Sequence, residues 1–280
     1  MSRPHSEQLS LNTATVRQQW DLRQIIEGCA RHEIRGISPW RDQVANIGLA
    51  EAARLIRHHD LRVSGYCRGG MFPGVDQQAR QATLADNQRA VDEALELGAE
   101  CLVLVVGGLP PGSKDLPGAR QQVRDGLSAL LEYARAGGMP LAIEPLHPMY
   151  AADRACINTL KQANDLCDEL GDDGLGIAVD VYHTWWDAEF YQEIARAGLK
   201  RLLAFHICDW LTPTRDLEDR GMMGDGVIDI RAMREAVEAQ GYRGLHEVEI
   251  FSRLNWWTQD PDEVLKTWAR LAIWRTVNRI

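Results

Sequence analysis

Residues 172–210 read DDGLGIAVDVYHTWWDAEFYQEIARAGLKRLLAFHICDW, and this stretch decides the fold. Two short apolar runs, Leu175–Tyr182 and Leu202–Cys208, flank a segment, Glu189–Ala197, with apolar residues at helical spacing. Each run has the length of a strand and holds a polar residue towards its end, Asp180 in the first and His206 in the second. A strand, a helix and another strand in this order make a parallel pair joined by a right-handed crossover.

The same unit repeats outward in both directions. Strands are predicted at Leu9–Val16, Glu33–Trp40, Leu61–Tyr66, Cys101–Val106 and Pro140–Leu146 before this stretch, and at Leu245–Phe251 after it. Helical patterns fill the gaps at Asp21–His32, Asp42–His59, Gln78–Leu97, Gly118–Ala136, Thr159–Leu170, Ile230–Gln240 and Pro261–Asn278. Gly98, Gly137, Gly171, Gly198 and Gly241 follow helical runs as stop signals, and Pro261 suits a first helical turn. Eight alternations in 280 residues favour closure into a single (β/α)8 TIM barrel over an open doubly wound sheet. No Pro/Gly/Ser linker interrupts the pattern, so residues 1–280 read as one domain.

Composition narrows the function. The net charge of −9 argues against nucleic acid, whose binders neutralise phosphates with a basic stripe. No run approaches the roughly 18 apolar residues of a membrane span, and the N-terminus has no apolar signal core. The six cysteines form no CxxC pair and sit among apolar neighbours, as reduced thiols do. The expectation is a cytoplasmic protein acting on a small molecule.

In a barrel of this kind the chemistry sits where strands end. The last four predicted strands carry Glu144, Asp180, His206 and Glu249 near their ends. Period-two geometry puts Ala142 with Glu144, Ala178 with Asp180, and Ala204 with His206. Each polar residue therefore stands inward, above a small alanine. Isolated buried charges are costly. One divalent cation offsets that cost, and these four become its ligands. Three carboxylates and an imidazole suit Mn²⁺, Mg²⁺ or Co²⁺, with Zn²⁺ as an alternative. Glu247 shares a face with Glu249 but lies deeper, as a partner of the ligands.

The motifs IEP at Glu144, DVYH from Asp180 to His183, FHICD around His206, GDGVID from Gly224 and YRGLHEVEIF from Tyr242 resemble those of the xylose-isomerase-like barrel superfamily. That superfamily holds sugar isomerases and epimerases. Resemblance to its ketose 3-epimerase branch implies Glu144 and Glu249 as acid and base as well as ligands. It also implies His183, from the DxxH pattern, as a substrate contact. His147, Arg68 and Arg215 join it as substrate-binding candidates, with Arg220 competing for the place of Arg215. The expected reaction is isomerisation or epimerisation of a small sugar, keto-sugar or polyol through an enediolate. A dehydratase acting on a keto-inositol or dehydroshikimate-like ring is the alternative on the same scaffold. The loop after the fifth strand, HPMYAADRAC, departs from the ketose 3-epimerase pattern. An apurinic-site endonuclease would need more histidines and a basic groove. The Trp185/Trp186 and Trp256/Trp257 pairs fit either a sugar's apolar face or a homo-oligomer contact.

Overall fold

The computed structural model describes residues 8–274, with side chains as far as residue 267. The helix expected to run to Asn278 therefore extends partly outside the described residues. The strands of the barrel are β1 (Leu9–Asn12), β2 (Gly36–Ser38), β3 (Arg62–Val63), β4 (Tyr66–Gly70), β5 (Leu102–Val105), β6 (Leu141–Ile143), β7 (Leu175–Asp180) and β8 (Leu202–Ile207), closed by β11 (His246–Val248). β9 (Asp209–Trp210) and β10 (Arg220–Gly221) form a small antiparallel pair above it. The nine barrel strands run in the order β3-β2-β1-β11-β8-β7-β6-β5-β4, and their pairings are parallel. This is a nearly closed TIM barrel.

The third predicted strand is two pieces, because the chain changes partner there. Ser64 N donates to Ile37 O on β2 at 3.0 Å, and Tyr66 N donates to Cys101 O beside β5, also at 3.0 Å. Between β3 and β4 the ring is joined by isolated bridges, Val63 with Ala99 and Trp40 with Cys67. The first strand also stops earlier than expected. Asn12 turns its side chain back to accept from Ala14 N at 3.0 Å, and a 3₁₀ turn follows at Thr13–Val16.

The helices are α1 (Leu22–Arg31), α2 (Arg41–Ile47), α3 (Leu49–His58), α4 (Gln77–Leu97), α5 (Leu116–Gly137), α6 (Leu160–Leu170), α7 (Val181–Thr184), α8 (Phe190–Arg201), α9 (Ile230–Ala239) and α10 (Pro261–Trp274). Gly48, at φ +87°, splits the helix expected over Asp42–His59 into α2 and α3. Gly198 kinks α8 rather than ending it. Asp21 caps α1 reciprocally with Gln24.

Two apolar regions result. Large aliphatics such as Leu104, Ile143, Val179 and Ile207 pack outward against helices. A small cluster fills the lumen: Cys67, Cys101, Val103, Ala142, Ala178 and Ala204. The three alanines are those that share a face with the strand-end ligand candidates. All six cysteines are free and buried, and burial pushes the Cys29 thiol up to about 12. Among the described residues no helix is long and apolar enough to cross a membrane.

Candidate metal centre

Neighbouring strand ends bring the four candidate ligands together. Asp180 closes β7 in register with His206 of β8, and His206 is in register with Glu247 of β11. Glu144 and Glu249 extend just past β6 and β11. One ligand atom from each of Glu144, Asp180, His206 and Glu249 lies within 4.8 Å of the others, and all four residues are buried. His206 Nδ1 is 3.1 Å from Glu144 Oε1, so this nitrogen faces the cluster. Its Nε2 points away, 3.5 Å from Glu247 Oε1.

The electrostatics fit a cation. Burial raises the Glu249 carboxyl to about 8; Arg220 opposes this, while Glu144 and Asp180 add to it. Burial disfavours the His206 imidazolium, yet Glu247, Glu144 and Glu249 together lift it well above the usual range. Three carboxylates packed this tightly require positive charge, and in this arrangement protons and Arg220 supply it. Arg220 Nη1 donates to Asp180 Oδ2 and to Glu249 Oε2, each at 2.9 Å. Its guanidinium is clamped between Tyr182 and Phe251, at 4.3 and 4.9 Å from the ring centres. The four side chains can hold a divalent metal ion, with oxygen and nitrogen donors at hand.

A cavity of 220 Å³ opens onto the cluster, with Glu144, His183, Arg220 and Glu249 in its wall. Trp40, Cys67, Arg68 and Phe251 form another part of that wall. This is smaller than the roughly 300–1,000 Å³ of drug-sized ligand pockets, and suits a small polyol-sized molecule.

A family model described as xylose isomerase-like TIM barrel matches residues 25–270. The chain belongs to that family. Among relatives, an inosose isomerase of Bacillus velezensis is 24% identical over 276 residues, spanning 92% of this chain and 93% of the relative. A 3-dehydroshikimate dehydratase of Pseudomonas putida is 27% identical over 194 residues, 65% of this chain but 28% of that protein. Among solved structures, a protein of Sinorhizobium meliloti 1021 is 57% identical with a TM-score of 0.93, over 95% of this chain and 97% of that one. The IolI protein with a bound zinc atom shares the fold at a TM-score of 0.83 and 19% identity, over 98% of this chain and 100% of that one.

Around this xylose isomerase-like centre the other candidate residues are distributed unevenly. His183 is buried beside it. Its Nδ1 lies 3.2 Å from His147 N, and its Nε2 lies 3.2 Å from Arg220 Nη2 and 3.7 Å from Asp180 Oδ2. Burial pushes His183 down to about 3, so the ring is neutral. A neutral imidazole has one bare nitrogen, so only one of the two donors, His147 N–H or Arg220, is accepted at a time. The His147 ring lies against Trp210 and Trp186, at 4.9 and 5.6 Å, away from the cavity wall. Arg68 lines the cavity. Arg215 does not: it pairs with Asp219, and 56% of its side chain is exposed. Of the two loop arginines it is Arg220 that reaches the cluster. The β9–β10 pairing sets this, matching Arg220 with Trp210, and Arg220 N donates to Phe251 O at 2.8 Å. Asp209 holds the same loop by accepting from the backbone N–H of Trp210, Gly224 and Ile228. At Gly226 any Cβ would sit 2.1 Å from Trp210 O, so the GDG motif serves a close turn. Of the paired tryptophans, Trp257 is buried and donates to Ala14 O at 2.9 Å.

One member of the site was missed. Asn12 Nδ2 donates to Glu247 Oε1 at 2.7 Å and to Glu249 Oε1 at 3.0 Å, and its Oδ1 accepts from Trp40 Nε1 at 2.8 Å. Ser64 Oγ donates to Glu247 Oε2 at 2.7 Å. The rule that pointed to the other strand ends would have found Asn12, had β1 been ended correctly.

Proposed function

We propose that this protein is a divalent-metal-dependent isomerase or epimerase of a small sugar, keto-sugar or polyol. The observation that carries the reading is the convergence of Glu144, Asp180, His206 and Glu249 within 4.8 Å beside a 220 Å³ cavity. The donor set suits Mn²⁺ or Mg²⁺ first, with Co²⁺ or Zn²⁺ as alternatives. A bound ion supplies charge stabilisation for the enediolate formed when a proton leaves the carbon beside a carbonyl.

The remaining chemistry belongs to the chain. Glu144 and Glu249 project from β6 and β11, with β7 and β8 between them, so their carboxylates approach the cavity from different directions. One takes the proton and the other returns one. His183, neutral, uses its Nε2 to hold a substrate oxygen. Arg220 orients the carboxylates and adds positive charge near the developing anion. The edge-to-face pair of Trp40 and Phe251, 5.6 Å between centroids, offers an apolar wall for a sugar's C–H face.

Incubating the Mn²⁺-loaded protein with inososes, free ketoses, ketose phosphates and 3-dehydroshikimate in D₂O tests this. The expected result is deuterium at the carbon beside the carbonyl in a product of otherwise unchanged mass. Loss of water instead assigns the dehydratase reaction, the reading favoured by the dehydroshikimate dehydratase relative. No exchange with any of these ketones overturns both.

A further inference from the structure

Two arginines in the cavity wall stand without a salt bridge among the described residues. Arg68 and Arg154 both line the cavity, and neither makes an ion pair among the described residues. The other charges in the wall are matched. Arg17 pairs with Asp42, and Glu218 pairs with Arg253 at 2.8 Å. Arg220 pairs with Asp180 and Glu249, and a divalent ion together with Arg220 balances the three carboxylate ligands. The guanidiniums of Arg68 and Arg154 thus face the same space with no salt bridge to the carboxylates described there.

The two lie close together. Burial and then the charge of Arg154 disfavour the charged form of Arg68, and Cys67, Glu144 and Asp42 offset this only in part. Arg68 is half-buried on β4, whereas Arg154 is exposed and packs over Tyr150, 5.8 Å from the ring centre. One thus stands inside the cavity and the other at its mouth. An anion between them offsets both penalties on Arg68, and guanidinium forks bind carboxylate and phosphate oxygens well.

We infer that the substrate carries an acidic group, a carboxylate or a phosphate, which is seated between Arg68 and Arg154 while the carbon skeleton lies over the metal centre. This rests on reading the cavity as the substrate site and names the substrate class: an acidic polyol or keto-sugar rather than a neutral one.

Two matched probe pairs test it on the Mn²⁺-loaded protein by calorimetry: shikimate against its methyl ester, and fructose 6-phosphate against fructose. Charge-assisted hydrogen bonds are worth about tenfold to a hundredfold in affinity. The charged member of at least one pair is expected to bind at least about tenfold more tightly, and the pair that shows it identifies the acidic group. The preference is expected to fall below about threefold in the R68Q/R154Q double variant, whose retained Mn²⁺ binding checks that it folds. No preference in either pair, including no measurable binding, overturns the inference. So does a preference that survives in R68Q/R154Q. The readout needs no turnover. A failed D₂O exchange with a retained acid preference sinks only the proposed reaction, and turnover of a neutral ketose that is insensitive to R68Q/R154Q sinks only the acid seat.

Discussion

The two sides of the barrel's upper rim bring different chemistry to one cavity. The side built from β6, β7, β8 and β11 presents Glu144, Asp180, His206 and Glu249, all buried, with a ligand atom of each within 4.8 Å of the others. The side built from β1 to β4 presents Asn12, Trp40, Cys67 and Arg68, of which Arg68 is half-buried and makes no ion pair among the described residues. The first is over-determined: removing any one member leaves the others in an electrostatic imbalance. The second is shaped more loosely. On the proposed reading, the acidic side fixes which bond chemistry is available, and the opposite side fixes which molecule is admitted.

The hardest blow to this contrast falls on the acid–base pair. Glu144→Gln and Glu249→Gln are each expected to lower turnover by about 10²–10⁴-fold with the circular dichroism spectrum unchanged. Near-normal rates in both would end the assignment of chemistry to the acidic side. Next comes Arg220→Met, which leaves Asp180 and Glu249 without their shared cation. Removing one partner from such a buried pair costs about 3–5 kcal/mol, read by denaturant unfolding of the metal-free protein. Saturating Mn²⁺ should recover much of this; an equal loss with and without metal would mean that the ion does not replace Arg220 as counter-charge. Glu247→Gln, which disturbs the group facing His206 Nε2, should weaken Mn²⁺ binding about 10–100-fold in a metal titration.

The pH dependence is gentler and has a fixed sign. Glu249 titrates near 8 and His206 well above its usual range, so both carry protons at neutral pH without metal. Binding must expel them. Affinity should therefore rise with pH between 6 and 8, by about tenfold per unit for each proton released. Calorimetry in buffers of different ionisation heat counts those protons; a pH-independent affinity would contradict the charge state described for the centre. The smallest effect belongs to Arg215→Ala. Its own side chain is mostly exposed, although Asp219 beneath it is buried, so stability should change little and turnover should hold. A marked loss of turnover would restore Arg215 to the substrate side.

The same contrast explains what could be read from the sequence. The acidic side was legible because alternation along β6, β7 and β8 puts Ala142, Ala178 and Ala204 beneath the polar residues, and three strand ends in succession repeat the pattern. Residues whose position depends on a long-range pairing left no such signal. Arg220 is chosen over Arg215 by a two-residue antiparallel match with Trp210, within a loop that has no periodicity. Asn12 was hidden because apolar residues continue through the 3₁₀ turn after it. The split of the third strand was hidden because exchanging one neighbour for another leaves the period-two pattern intact. The break at Gly48 rests on one backbone angle.

That split gives the barrel a seam. Backbone ladders open first where they are thinnest. Here two isolated bridges, Val63 with Ala99 and Trp40 with Cys67, span the interval between β3 and β4. The seam runs directly beneath Trp40 and Arg68, on the wall opposite the ligands. Amides of residues 62–70 should accordingly trade hydrogen for deuterium sooner than those of β7 and β8. On the proposed reading, evolution or a protein engineer can thus re-cut the entrance for a new guest along this fault line without disturbing the anvil on which the reaction is struck.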